Sequence, residues 1–315
     1  MKGIVVRNTG SMYIVEPQDG GPEVKCKIKG NFRIKGIRTT NPVAVGDEVE
    51  YSYPKDENDT AYITAITPRR NYIIRRASNL SKAAHIIASN LDRALLVVTL
   101  VHPVTSFTFI DRFLATARAY RVDAIIAINK VDLLETDEDR EFLEAVEYLY
   151  RSIGYTVVSV SARTGEGLEA LRELLKGHTT LFSGNSGVGK STLINALVPG
   201  LDLRTAEVSA AHDTGMHTTT FSEMFHLPGG GNIIDTPGVR GFGTIDFDAE
   251  EVSHFFPEIF AESANCRFGN CTHTHEPGCA VLEALEDNRI AQSRYNSYLS
   301  ILEETKDATK YRKEF

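Results

Sequence analysis

Tryptophan is absent from this 315-residue chain, cysteine and methionine occur four times each, and no apolar run approaches the roughly 20 residues of a membrane-spanning helix. The start, Met1-Lys-Gly-Ile-Val-Val-Arg7, breaks off before a secretory h-region forms. A cytoplasmic protein without membrane association is therefore expected. Three cysteines cluster near the carboxyl end and Cys26 stands far from them; an odd number of thiols in the cluster argues against a disulfide network. Net positive charge is also lacking. At a formal charge of −8, no whole-molecule field draws in nucleic acid, so any such binding falls to local patches. Internal repeats and low-complexity tracts are missing as well.

Two basic patches are present. Residues 1 to 40 hold Lys2, Arg7, Lys25, Lys27, Lys29, Arg33, Lys35 and Arg38 against Glu16, Asp19 and Glu23. The second is Arg69, Arg70, Arg75, Arg76 and Lys82, with no acid between residues 69 and 82. A solvated strand face and a basic linker would read the same way. Phe32 and Tyr72 inside the patches favour RNA.

The length predicts two or three domains, and the 42% hydrophobic content suffices for their cores. From Ile4 to Ile66, short β-like runs alternate with turn signals such as Gly20-Gly21-Pro22 and Gly46-Asp47. Five strands in fewer than 70 residues fit a Greek-key barrel of the OB type, and an SH3-like barrel equally. Beyond the basic linker, from Ala94 to Leu197, buried strands alternate with amphipathic helices, the signature of a mainly parallel α/β sheet covered on both faces. The predicted division is a barrel over 1–68, a basic linker over 69–83, an α/β P-loop domain over 84–243 and a mainly helical metal-binding domain over 244–315.

The segment Gly184-Asn185-Ser186-Gly187-Val188-Gly189-Lys190-Ser191, continued by Thr192, fits G-x-x-x-x-G-K-[ST], with the apolar run Thr179 to Ser183 before it. Such a loop points backbone N–H groups at phosphates, with the positive end of a helix behind them. Lys190 would bridge the outer phosphates and Ser191 would hold magnesium. Asn129-Lys130-Val131-Asp132 follows the strand-like run Ala124 to Ile128. Asp132 can accept two hydrogen bonds from guanine N1 and N2, a pairing adenine cannot offer. Ser161-Ala162-Arg163-Thr164-Gly165 fits a second base-contacting loop, and Asp235-Thr-Pro-Gly238 fits the D-x-x-G that senses the γ-phosphate. Between them, Gly215-Met-His217-Thr-Thr219-Thr supplies a threonine to complete magnesium coordination. Thr219 is favoured, with Thr218 and Thr220 close beside it. The substrate is thus GTP and the product GDP. The base-reading motif precedes the phosphate loop, so the order is that of a permuted GTPase.

Near the carboxyl end, Cys266-x4-Cys271-x-His273-x5-Cys279 packs four soft ligands into fourteen residues, enough for one closed tetrahedral structural zinc site. His275 competes with His273 as the ligand. Three thiolates and an imidazole leave no position for a catalytic water, and Cys26 reads as a core residue.

Motif order and flanking modules together resemble the ribosome small subunit-dependent GTPases (the RsgA or YjeQ family) over essentially the whole chain. Thr214-Gly-Met-His217-Thr-Thr-Thr220 and Asp235 to Gly238 with Val239 carry the likeness, the former differing slightly in its lead-in. The resemblance implies an OB domain, a circularly permuted GTPase domain, a zinc domain with His273 as ligand, and a role in late maturation of the small ribosomal subunit through contacts to its rRNA. A monomer is expected. Val239 stands where many GTPases place a water-positioning glutamine, so slow unaided turnover follows. His217 is the nearest polar candidate for that task, and in the family the equivalent histidine is the suspected catalytic residue. A non-catalytic GTP-dependent RNA-binding scaffold is the rival, separated by whether small subunits accelerate turnover.

Overall fold

The computed structural model describes residues 1–10, 12–28, 42–54, 60–76, 84–203, 222–236 and 247–312. Strands β1 (Lys2–Asn8), β2 (Tyr13–Pro17), β3 (Val24–Ile28), β4 (Glu48–Ser52) and β5 (Ala61–Ile66) form the amino-terminal barrel. Neighbours run in the order β1-β2-β3-β5-β4, and β4 pairs back onto β1, closing the ring. Alternation along the strands sends Val5, Tyr13, Val15, Cys26, Val49, Tyr51 and Ile63 inward. Cys26 is fully buried and its burial pushes the thiol up to about 11. An unreactive core residue is the result.

The stretch read as a basic linker is partly structured. Within it, β6 (Tyr72–Arg76) pairs antiparallel with β7 (Ala84–Ser89). Arg69 also leaves the basic patch: its side chain is only 7% exposed and grips Asp47 through Nε and an NH2 group, both at 2.6 Å. Asp47 accepts two more hydrogen bonds, from Ala44 N–H at 2.8 Å and Ser89 Oγ at 2.6 Å. A buried carboxylate so fully partnered ties barrel to hairpin. Beside it, Gly46 (φ 92°) allows the chains to approach, because a Cβ there would strike the carbonyl oxygen of Ser89.

The central domain alternates β8 (Arg93–Val98), α1 (Phe107–Ala119), β9 (Asp123–Ile128), α2 (Asp137–Ser152), β10 (Thr156–Ser159), α3 (Leu168–Leu175), β11 (Thr179–Gly184) and α4 (Lys190–Leu197), then β12 (Glu223–His226) and β13 (Asn232–Asp235). Sheet order is β10-β9-β8-β11-β13-β12, parallel except for β12. Along β8, Ala94, Leu96 and Val98 pack toward α1 and α2, while Leu95 and Val97 pack toward α3 and α4. Both faces are covered, as the near-continuous apolar strands require. Ser106 caps α1 by accepting the Phe109 N–H, and Thr136 with Asp139 forms a capping box on α2. The barrel sheet continues into this one: β1 meets β12 at Arg7 and Glu223, whose side chains also pair at 2.5 Å.

The carboxyl-terminal domain comprises a 3-10 turn (Val252–Phe255), α5 (Pro257–Ser263), α6 (Ala280–Glu286) and α7 (Gln292–Arg312). A buried ion network pins it to the central domain. Arg294 of α7, 1% exposed, reaches Asp111 of α1 at 2.7 Å and Glu258 of α5 at 2.6 Å. The Tyr150 hydroxyl donates to the same Asp111 at 2.9 Å, and the guanidinium lies over the Phe256 ring. Truncating either partner strands a buried charge, at a cost of about 3–5 kcal/mol.

Candidate nucleotide site and metal cluster

The phosphate loop leaves β11, the strand between β8 and β13, and enters α4 at the carboxyl edge of the sheet. Ligands gather at that edge in α/β folds. Gly184 and Val188 are buried, Asn185, Gly189, Lys190 and Ser191 half-buried, and Ser186, Gly187 and Thr192 exposed. Lys190 Nζ pairs with Asp235 at the end of β13 and donates to the Thr236 carbonyl at 3.0 Å. The loop and the start of D-x-x-G are thereby in contact.

The motif expected to read the base follows β9, beyond β8 from the phosphate-loop strand. Asn129, at the end of β9 and 3% exposed, donates from Nδ2 to the Val188 carbonyl at 2.8 Å and accepts the Ala162 N–H at 3.1 Å. One amide thus joins the phosphate loop to both base loops. Gly189 (φ 87°) makes this possible, since a Cβ there would lie 2.5 Å from Asn129 Nδ2. Lys130, in left-handed conformation, donates to the carbonyls of His102 and Gly187 at 2.6 and 2.7 Å. Asp132 accepts Ser161 Oγ at 2.5 Å and Arg163 Nε at 2.8 Å. The Ser161 hydrogen bond foremost, and Arg163 after it, hold its carboxyl below the usual carboxylate range despite some desolvation. It is an anionic acceptor at neutral pH.

That chemistry gives a test of base choice. Asp132→Asn replaces one acceptor by a donor, so GTP affinity is expected to fall by at least about tenfold and xanthosine triphosphate affinity to rise. Competition binding with the two nucleotides checks it; an unchanged preference rules out Asp132 as the guanine reader.

A second cluster lies in the loop between α5 and α6. Ligand atoms of Cys266, Cys271, His273 and Cys279 fall within 4.8 Å of one another, a set that could hold a metal ion. His273 Nδ1 is 3.5 Å from both Cys266 and Cys279 sulfurs, whereas His275 is exposed and bonds Thr274 Oγ1. Backbone placement comes from α7: Tyr295 and Tyr298 hydroxyls donate to the His273 and Thr272 carbonyls at 2.6 and 2.8 Å. Glu276 adds a brace, accepting the N–H groups of Thr272, Thr274 and His275 and the Thr272 hydroxyl. Burial pushes the Cys271 thiol up to about 12 and lowers His273. Thiolates here therefore need a cation beside them, and the imidazole stays neutral and available as a ligand.

Residues 66–245 match the family model described as RsgA GTPase, and residues 2–63 the RsgA N-terminal domain. A Bacteroides fragilis protein named small ribosomal subunit biogenesis GTPase RsgA is 62% identical over 312 residues, 99% of each chain. The chain belongs to the RsgA GTPase family. Its Porphyromonas gingivalis relative of the same name is 60% identical over the full length of both. Among solved structures, YjeQ from Thermotoga maritima superposes with a TM-score of 0.77 at 35% identity, covering 96% of this chain and 98% of that one. YloQ, described as a circularly permuted GTPase, gives 0.72 at 30% identity, covering 98% and 95%. The RsgA order is visible here in the sheet itself, where β9 and β10 with their base loops precede the phosphate-loop strand β11.

Several expected RsgA site residues lie outside the described set: His217, Thr219 with its neighbours Thr218 and Thr220, and Gly238 with Val239. So do Lys29, Phe32, Arg33, Lys35, Arg38 and Lys82 of the basic patches. Sequence reasoning missed the Lys130 grip on His102 and Gly187, and the Asn129 link to Val188. No sequence signal pointed to the first pair; the tetrapeptide spacing could have suggested the second. Among the described residues, no helix is long and apolar enough to cross a membrane.

Proposed function

We propose that the chain hydrolyses GTP on the small ribosomal subunit, coupling turnover to late subunit maturation and to its own release. The observation that carries this reading is the convergence, at one sheet edge, of Lys190 with Asp235 and of Asn129 with Val188 and Ala162. The names of the full-length relatives supply the subunit.

In this reading, Asp132 and the Ser161-Ala162 loop orient guanine, backbone N–H groups from Gly184 to Thr192 cradle the phosphates, and Lys190 offsets charge on the phosphoryl group in flight. Magnesium would sit on Ser191 and Thr219, neutralising β- and γ-phosphate oxygens. His217 would orient the attacking water in place of the glutamine that Val239 replaces. The Cys266, Cys271, His273 and Cys279 set fits structural zinc: all four positions are filled by protein atoms, and the donors are soft. The barrel and zinc domain would meet rRNA, and the protein would act as a monomer.

The test is GTP turnover with isolated small subunits, large subunits and neither. A large acceleration by small subunits alone is expected. Equal rates in all three would leave a GTP-dependent RNA scaffold as the better description. His217→Ala should remove most of the stimulated rate, about a hundredfold, leave slow intrinsic hydrolysis nearly unchanged and preserve subunit binding. If that variant is stimulated as fully as the parent, His217 does not position the water.

A further inference from the structure

The carboxyl-terminal domain is an unpromising surface for RNA by charge. Between residues 247 and 312 acidic side chains outnumber basic ones, and a negative field repels phosphate. The metal-cluster loop is a local exception. From Ala264 to Gly278 its sole carboxylate is Glu276, and that group is fully used by four donors within the loop. Asn265, Arg267, Phe268, Asn270 and His275 are among the residues the loop exposes to solvent.

Two of these form a unit. Phe268 remains 41% exposed. The Arg267 guanidinium lies 5.4 Å from its ring centroid. Both are anchored through their backbones: Arg267 N–H donates to the Gly278 carbonyl at 3.0 Å, and the Phe268 carbonyl accepts the Cys271 N–H at 3.2 Å. The Arg267 stem packs where a Gly278 side chain would begin, 3.3 Å from that position. An aromatic ring backed by a guanidinium, fixed by backbone hydrogen bonds on a loop whose own carboxylate is spent internally, is built to stack on a flat π-system.

We propose that Arg267 and Phe268 form a stacking platform for an unpaired base of RNA. This rests on the reading that the chain works on a ribosomal subunit, and names the contact its metal-cluster loop makes there. The recognition is of a splayed-out nucleobase by its face, not of the phosphate chain, because the surrounding domain is acidic. A protein partner with an apolar pocket is the competing occupant.

The absence of tryptophan supplies the experiment. Phe268→Trp gives the full-length protein its only indole, at the proposed contact, with stacking preserved. Its fluorescence is expected to be quenched saturably by a single-stranded decaribonucleotide and to change little with a duplex of the same length. Phe268→Ala should sediment with small subunits on the order of tenfold less tightly. Its slope of log affinity against log salt should equal the parent's, since no phosphate contact is lost, and intrinsic GTP turnover should be unchanged. Metal content of both variants establishes that the loop is intact.

Unquenched emission with parental sedimentation overturns the platform. Weakened sedimentation with emission indifferent to the oligonucleotide also overturns it, assigning the surface to a protein partner. A parent that fails to bind small subunits would instead refute the functional reading, and the oligonucleotide titration would still decide the stacking.

Discussion

Lys190→Ala is expected to lower GTP turnover by at least about a hundredfold, the scale on which loss of one transition-state charge contact acts. The amine is the cation that the structure sets against both Asp235 and the Thr236 carbonyl. Removing it takes charge compensation from the phosphoryl group and also leaves the Asp235 carboxylate without its partner. Ser191→Ala should fall alongside it, through the metal. Neither substitution touches the barrel, whose core is formed by its own strands. Single-turnover hydrolysis, with thermal melting of the barrel as control, checks this. Parental turnover in both variants would make the phosphate loop a coincidence of sequence.

Loss of the metal should have the second large effect, this time on folding. One zinc per chain is expected, and Cys271→Ser or chelation should loosen the carboxyl-terminal domain while sparing GTP binding. Apparent binding energies of about 10–16 kcal/mol are typical of such sites at neutral pH. No helix or strand occurs from Ala264 to Cys279, and burial pushes the Cys271 and Cys279 thiols upward, Cys271 to about 12. Without a cation the cluster would protonate and the loop would rest on hydrogen bonds such as those of Glu276 and the two tyrosine hydroxyls. Elemental analysis and amide exchange of the loop and of α7, alongside nucleotide titration, are the measurements. Protein purified without chelator and devoid of zinc would refute the assignment.

How much of this was legible in the sequence follows from the range of the interactions. The strands Val24–Ile28 and Ala61–Ile66 and the helix Lys190–Leu197 were within reach of the sequence, because turn residues and apolar period mark them locally. The cluster of three cysteines and His273 was legible for the same reason, all lying within fourteen residues. The β6–β7 hairpin was not. Its strands carry Arg75, Arg76 and His85 among their apolar residues, so charge masked the alternation. Arg69 looked like a free cation until Asp47 was found 22 residues upstream to bury it. Arg294 is the extreme case: its partner Asp111 is 183 residues away, and an arginine on an amphipathic helix normally reads as a solvent residue. Asn129 joins the phosphate loop at Val188 and the second loop at Ala162, atoms that motif spacing alone does not single out.

The single register pair between β1 and β12 has a further consequence for cutting the protein apart. β12 is the outermost strand of the central sheet, and β1 meets it at its first residue. A fragment lacking the barrel would free the start of that edge as well, just where the chain emerges from residues 204–221. Unguarded edges of that kind recruit strands from other molecules. The barrel thus guards one end of that edge, and an isolated central domain is expected to self-associate more readily than the whole chain.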